Sequence, residues 1–292
     1  MTAPYPRIHV VINPASGKNE PILNVINDVC RKHDVEWDVS VTHKYGDATA
    51  QAQAAIAAGV DLVAGYGGDG TQHEIANAIL ASQRTIPMAI LPGGTGNGFC
   101  RENGVPEELA PAVELMCVSP NLRHVDAGKL ADGYFIQRLY TGVEPEEQTS
   151  RDLKDRYGVL AYAMTVRQQA NAIVEADYRL TIDGEVIEER GTKCYVVNSG
   201  MSGRGLSLDK DFSVTDGLLD VFLLNRDLAH VKAVAGRFLH MNRPASGLHY
   251  WRGREITVES DPDRPIWADG EHIGRTPITA TVVPGAFAVV VP

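Results

Sequence analysis

The sequence predicts an α/β domain with a parallel sheet, followed by an antiparallel β-sandwich domain. Three observations predict it. Up to about Arg123, short apolar runs alternate with helical patterns, as in a parallel sheet covered on both faces. Beyond Arg123, helical periodicity becomes rare and short alternating runs with turns take over. Three early strands also run into loops rich in Gly, Asn or Ser, at the strand ends where open α/β sheets bind ligands. The boundary is placed near Arg123 to Asp126, giving domains 1–124 and 125–292.

Ile8 to Ile12 reads as a buried strand ended by Asn13-Pro14. Ile22 to Arg31 reads as a helix with Ile22, Val25, Ile26 and Val29 on one face. Glu36 to Val41 alternates as a strand and leads to Thr42-His43. Asp47 is placed to cap an alanine-rich helix over Ala48 to Ala58. Asp61 to Tyr66 is a strand, Glu74 to Leu80 a helical pattern, and Pro87 to Leu91 another strand. In the second half, Tyr178 to Ile182 and Glu185 to Glu188 flank Asp183-Gly184, a hairpin signal. Cys194 to Asn198, Leu219 to Leu224, Glu255 to Val258, Pro265 to Ala268 and Ala286 to Val291 read as strands. Leu160 to Val174 and Leu228 to Met241 are expected to be helices; the second is basic and amphipathic, and covers the sandwich more readily than it rests on a membrane.

Bulk properties exclude several classes. With 292 residues and 44% apolar residues, the chain can bury sizeable cores. A net charge of −10 argues against nucleic acid as a partner. The four cysteines form no CxxC pair, which fits reduced thiols in a cytoplasmic protein rather than a disulfide frame or zinc site. The first residues lack the apolar core of a signal peptide, and no apolar run reaches membrane-spanning length.

Gly67-Gly68-Asp69-Gly70-Thr71 carries the strongest chemical signal. A strand feeding a glycine turn that opens a helix presents backbone N–H groups and a helix N-terminus to an anion such as phosphate. Asp69 beside a phosphate makes sense when a cation, most often Mg²⁺, lies between them. The plain alternative is Asp69 as a helix cap. Asn13 to Lys18 and Pro92 to Phe99 form two further loops, each after a strand. Either alone reads as an ordinary turn; three together are hard to explain as packing.

These residues resemble the diacylglycerol kinase catalytic-domain family, which includes bacterial lipid kinases and sphingosine and ceramide kinases. Asn13-Pro14-Ala15-Ser16-Gly17 matches its NPxSG, Gly67 to Thr71 its GGDGT, and Gly94 to Asn97 its GTxN loop. Lys154 to Tyr162, Asp216 to Val221, and Asp269-Gly270-Glu271 with Thr276-Pro277 resemble its later segments. GGDGT alone also fits NAD kinases; the later segments favour lipid kinases. The resemblance covers nearly the whole chain.

The resemblance implies an NAD-kinase-like nucleotide-binding domain, a β-sandwich domain and an active site in the cleft between them. ATP would contact Asn13, Pro14, Ala15, Ser16, Gly17, Thr42, Gly68, Asp69, Gly70, Thr71, Gln72, His73, Glu74 and Thr95. Asp69 and Asp126 would join a catalytic magnesium–water network. Asp216, with main-chain oxygens of Ser213 and Leu218, would hold a structural Mg²⁺. Glu271, supported by Asp269, would handle the acceptor hydroxyl. Residues 269–271 alone read more readily as a hairpin turn; the matching front half favours catalysis. The implied partner is a lipid alcohol, met by peripheral contact at a membrane surface; homodimerisation is left open.

Three departures stand out. Gly98 occupies the position of an Asp in the family's GTxND. Glu144-Pro145-Glu146-Glu147 replaces an apolar-Asp-Ala turn, and Ser202 and Arg204 interrupt a glycine run. The expected activity is an ATP- and Mg²⁺-dependent lipid kinase. The alternatives are an NAD kinase-like enzyme acting on a soluble alcohol, and a nucleotide-binding degenerate kinase with a regulatory role.

Overall fold

The computed structural model describes residues 3–16, 20–82, 84–141, 175–199, 201–202, 206–207, 213–225 and 248–292. The helices expected over 160–174 and 228–241 lie outside the described residues. The chain forms two compact units. Unit 1 gathers Met1–Gln137, Asn198–Gly217 and Val283–Pro292, and unit 2 gathers Arg138–Val197 and Leu218–Val282. The boundary expected between residues 124 and 125 differs from this grouping of contacts. That point falls inside the strand Leu122–Lys129, and two later segments return to unit 1.

Unit 1 is α/β. Its elements in order are β1 (Arg7–Ile12), α1 (Ile22–Lys32), β2 (Glu36–Val41), α2 (Asp47–Ala58), β3 (Leu62–Gly67), α3 (Asp69–Ser82), β4 (Met88–Pro92), α4 (Gly98–Glu102), α5 (Leu109–Val118), β5 (Leu122–Lys129) and β6 (Tyr134–Phe135). The strands β2-β1-β3-β4 pair in parallel, and the end of the last strand continues the sheet, with Val289 opposite Met88. Because β3 and β4 are covered on both faces, every residue in them is buried and they read as unbroken apolar runs. Strand β2 lies at the edge and keeps the exposed valines Val39 and Val41.

Helix α5 escapes a sequence reading because Pro111 looks like a breaker. It sits in the first turn, where a proline lacks no needed N–H, and the helix buries Leu109, Ala112, Val113, Met116 and Cys117. Asp47 also differs from expectation. It lies inside the first turn of α2, and its carboxylate turns back to accept N–H groups of His43 and Lys44 at 2.8 and 3.1 Å.

Unit 2 is a β-sandwich. Its strands are β7 (Arg138–Thr141), β8 (Ala176–Ile182), β9 (Glu185–Gly191), β10 (Lys193–Val197), β11 (Leu219–Leu224), β12 (Leu248–Gly253), β13 (Glu255–Asp261), β14 (Pro265–Ala268), β15 (Glu271–Arg275) and the first part of β16 (Ile278–Val290). One antiparallel sheet runs β12-β11-β10-β7-β14-β15 and the other β16-β13-β8-β9. Leu139, Val196 and Val221 of the first are buried, as are Tyr178, Leu180 and Val258 of the second. The Tyr178 hydroxyl lies 3.4 Å from Thr141 Oγ1, linking the two sheets. The hairpin at Asp183-Gly184 forms as expected, with φ of +50° and +90°, the left-handed pair of a type I′ turn. Among the described residues no helix is long and apolar enough to cross a membrane.

Candidate functional site

Three loops follow β1, β3 and β4 at the same end of the parallel sheet of unit 1, and they interlock. Asn13 Nδ2 donates to Thr71 Oγ1 at 3.1 Å, joining the first loop to the second. Asn13 Oδ1 accepts the Ala15 N–H at 3.1 Å, and Ser16 Oγ donates to the Asn13 carbonyl at 2.9 Å. The second and third loops meet where Gly93 N–H donates to the Gly67 carbonyl at 3.0 Å. Asp69 completes the joint, its two carboxylate oxygens accepting the N–H groups of Gly98 and Phe99 at 3.2 and 3.1 Å.

The local sequence explains this geometry position by position. A Cβ on Gly67 would sit 2.4 Å from Thr71 Oγ1, so glycine there lets Thr71 fold back over the strand end. A Cβ on Gly94 would sit 2.5 Å from the Gly68 Cα, so the two loops touch backbone to backbone. Asn97, at φ +46°, turns its Oδ1 back onto the Gly94 N–H at 3.0 Å. Gly70 is exposed, with nothing within 4 Å of where its Cβ would be. Helix α3 begins at Asp69, earlier than the apolar pattern suggests, so Gly70 and Thr71 lie in its first turn. The N–H groups of Asp69 and Gly70 have no acceptor among the described residues. Unpaired first-turn N–H groups beside a glycine that leaves open space suit a phosphate.

The other residues expected at the nucleotide divide into two groups. Pro14, Ala15 and Thr95 are exposed, Ser16 is half-buried, and Thr42 is buried at the end of β2 with its N–H on the Ile12 carbonyl. Gly17 lies outside the described residues. Gln72 and Glu74 do different work from that expected. Gln72 is 2% exposed and its amide donates to the Gly65 carbonyl at 2.9 Å, which braces β3 and keeps it from a bound nucleotide. Glu74 Oε2 accepts the N–H groups of Ala48 and Thr49 at 3.1 and 3.3 Å, so it caps α2. Burial holds its carboxyl above the ordinary glutamate value, against the pull of those N–H groups. His73 is half-buried beside Asn77.

The carboxylates expected in the magnesium–water network and at the structural Mg²⁺ differ in their surroundings. Asp126 is 2% exposed, with one oxygen on the Gly217 N–H and the other on the Gly285 N–H, both at 2.7 Å. The carboxylate ties the 213–217 and 283–292 segments to β5. Asn198, which the sequence reading did not single out, supports the knot by donating to the carbonyls of Asp126 and Ile136 at 2.8 and 2.9 Å. No motif marks it, since its partners come from distant segments. Asp69 is only partly buried and keeps lone pairs beyond its two N–H bonds, so it fits a cation held against phosphate. Asp216 is exposed and Ser213 half-buried in unit 1, while Leu218 begins unit 2. No three His, Cys, Asp or Glu side chains cluster as a metal site among the described residues.

In unit 2, Asp269 and Gly270 have φ of +46° and +97° and form a tight turn between β14 and β15. The hairpin reading of this pair therefore holds. Asp269 Oδ1 accepts the Arg138 N–H at 2.8 Å, and its own N–H donates to the Arg138 carbonyl at 2.9 Å, pinning the turn to β7. Glu271 is the first residue after the turn, opposite Ala268 and half-buried. Its carboxylate makes no hydrogen bond or ion pair among the described residues.

Two family models match the chain, one after the other. A family model described as the diacylglycerol kinase catalytic domain matches residues 7–130. One described as the YegS C-terminal NAD kinase beta sandwich-like domain matches residues 137–291, more than half of the chain. The chain belongs to the YegS family. Among curated relatives of this YegS-family chain, a diacylglycerol kinase of Staphylococcus saprophyticus is 28% identical over 93% of this chain and 90% of its own. That of Staphylococcus carnosus is 26% identical over the same shares. Among solved structures, a candidate diacylglycerol kinase from Bacillus anthracis superposes with a TM-score of 0.85 at 25% identity, covering 99% of this chain and 98% of that one.

Proposed function

We propose that the chain is an ATP-dependent lipid kinase that phosphorylates a hydroxyl of diacylglycerol or a related lipid alcohol. The observation that carries the nucleotide half is the glycine rim of unit 1, with the Gly68–Gly94 backbone contact and unpaired N–H groups at the start of α3. The family supports the acceptor half, since its curated relatives are named diacylglycerol kinases.

Phosphoryl transfer needs positioning and charge stabilisation more than covalent chemistry. The N–H groups of Asp69 and Gly70 orient the phosphates, and Asp69 supplies a carboxylate for the cation that accompanies them. Mg²⁺, when bound with ATP, neutralises charge on the transferring phosphoryl group. Glu271, whose carboxylate has no partner among the described residues, accepts the proton of the acceptor hydroxyl. Asp269 acts on Glu271 by fixing the turn that presents it.

The test is phosphate transfer from labelled ATP into a panel of lipid alcohols in mixed micelles, with wild type beside Glu271→Ala and Asp69→Ala. Labelling of one lipid, lost in both variants, supports the proposal. Absence of labelling, where a related kinase labels lipid in the same micelles, refutes it. An NAD assay without micelles separates the soluble-acceptor alternative. Gly98 motivates a second reading, in which the chain binds nucleotide with impaired turnover: an N–H held by Asp69 stands where the family has a carboxylate. Gly98→Asp tests it. A large gain in turnover supports impairment, and no change removes its motive.

A further inference from the structure

Cys30 and Cys117 are unused by the proposed chemistry, and they meet inside unit 1. Their sulfurs lie 3.7 Å apart, and the two residues are 0% and 1% exposed. Each sits in the last turn of its helix, Cys30 in α1 and Cys117 in α5. One turn before Cys117, Glu114 accepts Lys32 Nζ at 2.9 Å and meets His33 Nε2 at 2.7 Å. The two helix ends are therefore held together by a contact independent of the thiols. The other cysteines offer no such pairing: Cys100 Sγ turns to the carbonyls of Val105 and Pro106 at 3.3 and 3.7 Å, and Cys194 is fully buried in unit 2.

We propose that Cys30 and Cys117 are a peroxide-oxidisable dithiol that closes to a disulfide and staples α1 to α5. Closure needs the sulfurs to approach by about 1.7 Å, to the ~2.05 Å of a bond. Side-chain rotation and a small slide of one helix end supply that. Access comes from fraying of a last turn, which opens more readily than the core as a whole. The order of events follows from the hydrogen bond between the thiols. It lowers the Cys30 thiol and keeps the proton on Cys117, so Cys30 is the attacking sulfur.

The step balances with one hydrogen peroxide per pair. The Cys30 thiol gives its electron pair to one peroxide oxygen, the O–O bond breaks, and Cys30 sulfenic acid and water form. The Cys117 sulfur then attacks the Cys30 sulfur; the S–O bond breaks, its hydroxyl leaves with the Cys117 proton as a second water, and the disulfide remains. Two thiols are oxidised by two electrons and one peroxide is reduced. The inference does not depend on the kinase reading.

The test treats the folded full chain with graded hydrogen peroxide, blocks remaining thiols under denaturing conditions, and maps peptides without reductant. The expected product links the Cys30 and Cys117 peptides with loss of two hydrogens, while Cys100 and Cys194 stay blocked as thiols. The oxidised chain should melt about 5 °C or more higher than the reduced one, because the link closes a long loop in the unfolded state, and reductant should reverse the shift. Cys30→Ser and Cys117→Ser, checked for folding by circular dichroism, should each abolish the linked peptide and the reversible shift. Recovery of Cys30 and Cys117 as free thiols after peroxide consumes other thiols, or linkage of either to Cys100, overturns the proposal.

Discussion

Replacing Gly94 by alanine drives a methyl group into the backbone of the facing loop. The new Cβ would lie 2.5 Å from the Gly68 Cα, 3.2 Å from the Gly68 nitrogen and 3.0 Å from Asn97 Oδ1. Carbon atoms rest comfortably at about 3.5–4.0 Å, so the loops must part by about 1 Å. The main obstacle is backbone, which cannot swing aside like the end of a flexible side chain. Parting strains the Gly93–Gly67 bond and the Asp69 bonds to Gly98 and Phe99. Overpacking of this kind costs about 1–3 kcal/mol. At roughly 2–4 °C per kcal/mol, the melting midpoint should fall by about 2–12 °C. Gly70→Ala is the matched control, with nothing within 4 Å of its Cβ and no left-handed φ. It should melt with wild type or slightly above, since alanine is the better helix residue. It nevertheless places a methyl over the unpaired N–H groups, so ATP affinity should fall at least about tenfold, about 1.4 kcal/mol. Scanning calorimetry and titration calorimetry with ATP read the two effects separately. A Gly94→Ala chain melting within a degree of wild type, or a Gly70→Ala chain with unchanged ATP affinity, would refute the reasoning.

Three further outcomes are expected. Asp126→Asn turns an amide donor towards the Gly217 or Gly285 N–H in a site that is 2% exposed, so chemical denaturation should show a loss of about 1–3 kcal/mol. Glu74→Ala removes the acceptor at the start of α2 and should cost about 1 kcal/mol, whereas Glu74→Gln keeps an acceptor oxygen. Because the folded glutamate value is raised above its ordinary 4.5, the stability linked to Glu74 protonation is present below 4.5 and lost as pH climbs through the folded value. The Glu74→Gln midpoint should therefore gain on wild type between pH 4.5 and pH 7, and melts at both pH values would detect a flat difference. Glu271→Gln should lower turnover by about 10²-fold or more with the midpoint unchanged, because its carboxylate has no partner among the described residues.

Much of unit 1 was legible because its physics is local. Unbroken apolar runs marked β3 and β4, and the glycines after them marked two of the loops that interlock at the sheet end. What stayed hidden depends on distant segments. The return of the last ten residues to unit 1 is one such feature, which composition does not signal. Glu74 looked like a neighbour of the glycine loop, but its carboxylate reaches the start of another helix; Gln72 turns beneath β3 because its helical position faces the sheet. Asn198 carries no motif, yet it secures the Asp126 knot.

The expected catalytic acids differ in what they are free to do. Asp69, Asp126 and Asp269 each accept backbone N–H groups that hold loops or turns in place. Glu271 accepts none among the described residues. Replacing a carboxylate that accepts N–H groups leaves those donors unpaired and disturbs the backbone they hold. Glu271 is the one of the four whose replacement leaves no backbone N–H without its acceptor among the described residues. Loss of activity on replacing Asp126 or Asp269 would report a displaced scaffold as readily as missing chemistry. Only at Glu271 does the structure separate the two, through a variant that should fold with wild-type stability and still fail to turn over.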